Sequence, residues 1–150
     1  AASGTGDAGT DGECRNFKVF MKAVQEVSPV PVRFDEISSG AKGYYSNTEK
    51  EIVIQNGMSE SQTMKTGIHE VTHAMLHDRD FMEEQGEKKN QMTKEVEAES
   101  VAYTVCQYFG LDTSDYSFPY IAGWSSSMDM KELRTSMDTI RKRQVLLLTA

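Results

Sequence analysis

From Asn16 to Val27 the apolar residues Phe17, Phe20, Met21, Val24 and Val27 recur at three- and four-residue spacing, which predicts a helix with one apolar face. Ser28, Pro29 and Pro31 stop it. Three short runs of strand type follow, Val30 to Phe34, Gly43 to Ser46 and Glu51 to Gln55. Asn47-Thr48-Glu49-Lys50 supplies a turn, so Tyr44-Tyr45 against Ile52-Val53-Ile54 reads as a β-hairpin. Ser59 with Gln62 three residues on has the form of a capping box, and Met64, Ile68, Val71, Met75 and Leu76 lie along one side of the helix behind it, to about Asp78. The charged, non-periodic segment Arg79 to Met92 reads as a surface loop. Thr93 then reads as the N-cap of a second long helix, with Ala98, Val101, Ala102, Val105 and Phe109 apolar and Gly110 at its stop. Past Leu111 an irregular stretch leads through Trp124 to a last expected helix, Asp129 to about Leu148. Together these predict an α+β fold in which a small, mainly antiparallel sheet packs beside helices.

Composition narrows the class. The chain has 150 residues, enough for one domain with a real core. Residues 1–15 are mostly small, polar and glycine-rich and read as a linker, leaving residues 16–150 as a single domain, read as a piece of a larger protein. No apolar run approaches the ~20 residues of a membrane span. With 23 acidic against 16 basic residues and a net charge of -7, the domain is not expected to grip nucleic-acid backbone. Cys14 and Cys106 stand at no metal-ligand spacing and read as reduced thiols, which fits a cytoplasmic protein.

All three histidines fall in one short stretch of the expected helix, His69-Glu70-Val71-Thr72-His73 and then His77. A His-Glu-x-x-His spacing sets two imidazoles one turn apart on one face, where they can share a Zn²⁺ while the glutamate reaches a water on the ion. Measured from Ile68, His69 and His73 lie about 100° and 140° round, at the border between core and solvent. His77, about 12 Å along the helix from His69, is too far to share that ion and reads as a residue behind the ligands or a surface histidine.

A catalytic zinc needs a third protein ligand and one open position. The helix that follows begins Glu95-Val96-Glu97-Ala98-Glu99. Glu95 and Glu99 share a side, about 60° and 100° from Ala98, while Glu97 lies near 260°. Glu95 is favoured as the ligand and Glu99 as the acceptor for the spare N–H of a ligating histidine, with Glu97 and the loop acids Asp78, Asp80 and Glu83 behind.

His-Glu-x-x-His followed by Glu-x-x-Ala-Glu on the next helix resembles the gluzincin arrangement, and the stretch from Gly43 to Trp124 is similar to the ImmA/IrrE-type metallopeptidases. It also resembles the metallopeptidase half of ArdC-like antirestriction proteins of conjugative elements. The resemblance implies a minimal zincin-like core, zinc as cofactor, His69, His73 and Glu95 as its ligands and Glu70 as the catalytic glutamate. It implies a protein or peptide substrate, such as a regulatory protein of a mobile element. On this expectation zinc acidifies a water and Glu70 takes its proton as a peptide carbonyl is attacked. Tyr44, Tyr45, Tyr103, Tyr116 and Tyr120 are open candidates for stabilising the oxyanion, and the edge of the Tyr44-Tyr45 hairpin for receiving an extended substrate. The competing expectation is a non-hydrolytic protein-interaction module of an antirestriction protein.

Overall fold

The computed structural model describes residues 16–111. The expected linker with Cys14, and the expected last helix with Trp124, Tyr116 and Tyr120, lie outside the described residues.

Helix α1 covers 16–27 and contributes Met21 and Val24 to the core. Strands β1 (Val32–Asp35), β2 (Gly43–Ser46) and β3 (Glu51–Gln55) make one sheet in the order β1-β3-β2. The hairpin forms as expected: β2 runs antiparallel to β3, with Tyr44 opposite Val53 and Tyr45 opposite Ile52. β1 joins the other side of β3 in parallel, Val32 opposite Ile52, so the sheet is mixed rather than mainly antiparallel. The physical sign of this is β3 itself. Ile52, Val53 and Ile54 are all buried, as a central strand covered on both faces requires.

Helix α2 (Glu60–Leu76) lies across the sheet and buries Met64, Ile68, Val71 and Ala74 against Ile52 and Ile54. Ser59 caps it, its Oγ accepting from the Gln62 N–H at 3.2 Å. The reciprocal half of a capping box is not made, because the Gln62 side chain turns to the Thr66 hydroxyl and the Lys42 ammonium, each at 3.3 Å.

The segment read as a loop holds another helix, α3 (Arg79–Glu84). Asp78 caps it, accepting from the Phe81 N–H at 3.1 Å, and Gly86 ends it at φ +66° while the Glu87 N–H reaches back to the Met82 carbonyl. Helix α4 (Gln91–Tyr108) starts earlier than expected. Its cap is Asn90, whose Oδ1 accepts from the Thr93 N–H at 2.7 Å, so Thr93 lies inside the first turn. Gly110, at φ +69°, terminates it as expected. α4 packs along α2 and adds Val101, Ala102, Val105 and Cys106 to the core, with Cys106 a buried cysteine in no disulfide. No helix among the described residues is long and apolar enough to cross a membrane.

Candidate metal centre

The border position of His69 and His73 on α2 turns them towards α4, where Glu95 sits one turn inside the helix. Three side chains converge there. His69 Nε2 lies 3.1 Å from Glu95 Oε2, His73 Nε2 lies 3.3 Å from Glu95 Oε1, and the two Nε2 atoms are 3.1 Å apart. A tetrahedral zinc bound at 2.0–2.1 Å needs neighbouring ligand atoms roughly 3.3 Å apart, so the triangle fits that ion. The donor set of two imidazoles and a carboxylate also fits zinc chemistry. Among the described residues this is the one group of His, Cys, Asp and Glu side chains close enough to hold a metal.

Burial works to raise the Glu95 carboxyl, but the His69 and His73 rings beside it outweigh burial and hold Glu95 well below the usual carboxylate range. It is therefore charged at neutral pH. Glu70, only 8% exposed, lies between the two histidines in sequence and faces the same cleft. Burial pushes its carboxyl up, against the pull of His69 and His73. The cleft has a volume of about 270 Å³ and is lined by Tyr44 and Tyr45 of β2, Glu70 and His73 of α2, and Lys94 and Glu95 of α4.

Gly43 sets how closely β2 approaches α2. A Cβ at this position would stand 2.7 Å from Thr66 Cγ2, 3.1 Å from the Val53 carbonyl oxygen and 3.4 Å from Glu70 Cγ. The sheet edge therefore rests directly on the turn of α2 that carries Glu70. This glycine was not singled out from the sequence, where it reads only as the start of a strand.

The far end of the hairpin is tied to the end of α2. Asp78 Oδ1 accepts from the Tyr45 hydroxyl at 2.5 Å and from the Lys50 ammonium at 2.6 Å. Lys50 adopts φ +52° in the turn and also reaches Asp80 at 3.0 Å, while Asn47 Oδ1 accepts from the Arg79 N–H at 2.8 Å. Burial alone raises the Asp78 carboxyl, yet Lys50, Tyr45 and the Phe81 N–H bring it down to about 2. Burial and the Asp78 carboxylate push the Tyr45 phenol up to about 12, so it remains a donor. Asp78 and Asp80, weighed as outside chances for ligands, serve this junction instead.

Behind the cluster stand His77 and Glu97. His77 is buried, with its Nδ1 at 2.8 Å from His73 Nδ1 and its Nε2 at 3.4 Å from Glu97 Oε2. Burial lowers its pKa to about 4, so the ring is neutral at pH 7. Glu97 is fully buried, and Lys89 Nζ lies 3.0 Å from the same Oε2. Glu99 is also buried, but His69 Nδ1 has no hydrogen-bond partner and His73 Nδ1 faces His77. The carboxylate that connects to a histidine of the cluster, through His77, is Glu97 rather than Glu99. Glu97 and Glu99 flank Ala98 on opposite sides at equal angles, and Val96, Glu97, Ala98 and Glu99 are all buried, so this part of α4 has no solvent side.

An α+β fold carrying two histidines of a His-Glu-x-x-His helix against a glutamate of the next long helix is the architecture of a metallopeptidase-type domain. The comparison with known families agrees: residues 25–107, more than half of the chain, match the IrrE N-terminal-like domain of peptidase family M78. The chain belongs to that family. It is also 36% identical over 83 residues to an uncharacterized protein of Bacillus anthracis, a match covering 55% of this chain and 13% of that protein. The chain thus spans a small part of the length of this relative. No solved structure matches it.

Proposed function

We propose that the domain is a zinc-dependent peptidase that hydrolyses a peptide bond in an extended segment of a protein substrate. The observation that carries this is the triangle of His69, His73 and Glu95 beside the buried Glu70, opening on one cleft. His69 and His73 would hold zinc through Nε2 and Glu95 through its carboxylate. Bound there, zinc supplies Lewis acidity to a carbonyl oxygen and lowers the pKa of a water towards ~7. Glu70 accepts the proton of the attacking water and returns it to the leaving amine, a role that suits a carboxyl pushed up by burial.

β2 has β3 on one side and no strand on the other among the described residues, and Tyr44 and Tyr45 line the cleft. A substrate strand can add to that free edge and present its carbonyl to the site. Tyr44 and Tyr45 are the cleft tyrosines nearest such a strand, and Tyr45 already donates to Asp78, which leaves Tyr44 as the candidate oxyanion donor. Regulatory proteins of mobile elements are the substrate class that the family resemblance suggests.

The test is metal analysis of the purified chain combined with a Glu70→Gln comparison in a peptide-hydrolysis assay. One zinc per chain, retained by the variant, with hydrolysis reduced about 10²- to 10⁴-fold is the expected result. No zinc uptake, or a variant as active as the wild type, refutes it and favours a non-hydrolytic interaction module.

A further inference from the structure

We propose that His77, Glu97 and Lys89 form a positioning relay behind the metal centre that holds His73 with its proton on Nδ1 and its Nε2 lone pair turned to the ion. The proposal rests on the metallopeptidase reading above and adds three residues to it. His73 and His77 lie one turn apart at the end of α2, with 2.8 Å between their Nδ1 atoms. Two ring nitrogens that face each other at this distance need one donor and one acceptor, so the contact holds one proton.

Two arrangements are possible. If His77 donates, its Nε2 turns a lone pair towards Glu97 Oε2 at 3.4 Å, inside a region shielded from water. Two acceptors then face each other in a low dielectric, which is unfavourable. If His73 donates, His77 accepts at Nδ1, carries its proton on Nε2 and donates a long hydrogen bond to Glu97. Only the second arrangement leaves His73 Nε2 unprotonated, and that is the atom 3.1 Å from His69 Nε2 and 3.3 Å from Glu95 Oε1.

Glu97 sets the direction because it is an acceptor. Lys89 Nζ, 3.0 Å from Oε2 and supplied by the connection between α3 and α4, offsets the cost of burying its charge. The second Glu97 oxygen is buried without a partner, so His77 and Lys89 share the single paired oxygen. His69 has no equivalent support, since its Nδ1 is buried without any partner. The relay therefore acts on one of the two histidine ligands.

The experiment measures zinc affinity of the full chain by competition with a chromophoric chelator, and reads imidazole tautomers of the metal-free protein by ¹⁵N NMR. Glu97→Gln and His77→Leu are each expected to weaken zinc binding about 10- to 100-fold. His77→Gln is expected to recover most of that loss, because its amide can accept from His73 Nδ1–H and donate to Glu97. In the metal-free wild type, His73 is expected as the Nδ1–H tautomer and His77 as the Nε2–H tautomer, and Glu97→Gln mixes them because an amide can both donate and accept. Glu95 offers His73 Nε2–H a competing acceptor, which makes the tautomer the discriminating signal. Wild-type affinity in both Glu97→Gln and His77→Leu, or His73 found as the Nε2–H tautomer, overturns the relay. A wild type that takes up no zinc refutes the metallopeptidase reading instead, and the tautomer spectra still decide the relay.

Discussion

Gly43→Ala adds one methyl group where β2 rests on α2. The new carbon would stand 2.7 Å from Thr66 Cγ2, whereas unstrained carbon pairs sit about 3.5–4.0 Å apart. Thr66 cannot swing aside cheaply: it is buried and β-branched, and a helix restricts its χ1. The Val53 carbonyl, 3.1 Å away on the central strand, blocks escape in the other direction. The strand edge must lift by several tenths of an ångström, and overpacking of this kind costs about 1–3 kcal/mol. Gly43 does not occupy the left-handed region, so the loss is steric and not conformational. Urea unfolding of Gly43→Ala should show a lower midpoint with an unchanged slope. Thr66→Ser removes the clashing methyl, and the double variant should recover most of the difference between glycine and alanine. Because Glu70 Cγ is the third neighbour, at 3.4 Å, hydrolysis should fall further than stability explains. A loss below about 0.5 kcal/mol, or a serine that restores nothing, would refute the reasoning.

Saturating zinc at about 1,000 times its dissociation constant should raise the unfolding free energy by about 4 kcal/mol, and His73→Ala should abolish that gain in a chelator-controlled melt. The Asp78 carboxyl, held at about 2 in the folded chain, contributes stability that is complete above about pH 4 and disappears as the pH falls to about 2. That contribution is about 1–2 kcal/mol after solvent screening. Asp78→Asn keeps an N-cap while losing the charge, so the stability difference from wild type should shrink over the same interval; a constant difference would contradict the assignment. Gly67→Ala in the middle of α2 should stabilise the fold by about 0.5–1 kcal/mol, since glycine is a poor helix residue. The atoms nearest the new Cβ are Met21 Cε and Val24 Cγ1 at 3.4 Å and Ile54 Cδ1 at 3.8 Å, ordinary contact distances, and a lower melting temperature would show that Met21 cannot yield.

The helices that were legible in the sequence are those whose large apolar residues keep a helical spacing. α1 buries one such stripe, and in α2 Met64, Ile68, Val71 and Leu76 keep the spacing although small and polar residues are buried around most of the helix. The β2–β3 hairpin was visible because its turn is local. The parallel pairing of β1 was hidden, since β1 must bypass β2 in sequence to reach β3, and only the unbroken burial of Ile52-Val53-Ile54 hints at it. α3 was missed because its residues are mostly charged and none is buried, so caps define it and periodicity does not. At the site, the convergence of His69, His73 and Glu95 follows from helical spacing plus the packing of α4 on α2. Glu97 was ranked behind Glu95 and Glu99 because it lies on the opposite flank of Ala98, and burial on both flanks of this part of α4 removes that distinction. Gly43 left no mark at all, since its importance lies in what a neighbouring helix would strike.

Asp78 answers at once to Tyr45, Lys50 and the first turn of α3. Two positions of the hairpin, 45 and 50, are therefore tied to position 78 at the end of the histidine helix through one carboxylate. A lineage that exchanges the aspartate for an apolar residue takes this acceptor from the Tyr45 phenol and leaves the Lys50 ammonium with Asp80 alone. Members of the family should accordingly vary these positions together or leave all three alone. The record of their joint variation, collected across many genomes, would show whether the hairpin and the histidine helix have evolved as one heritable unit.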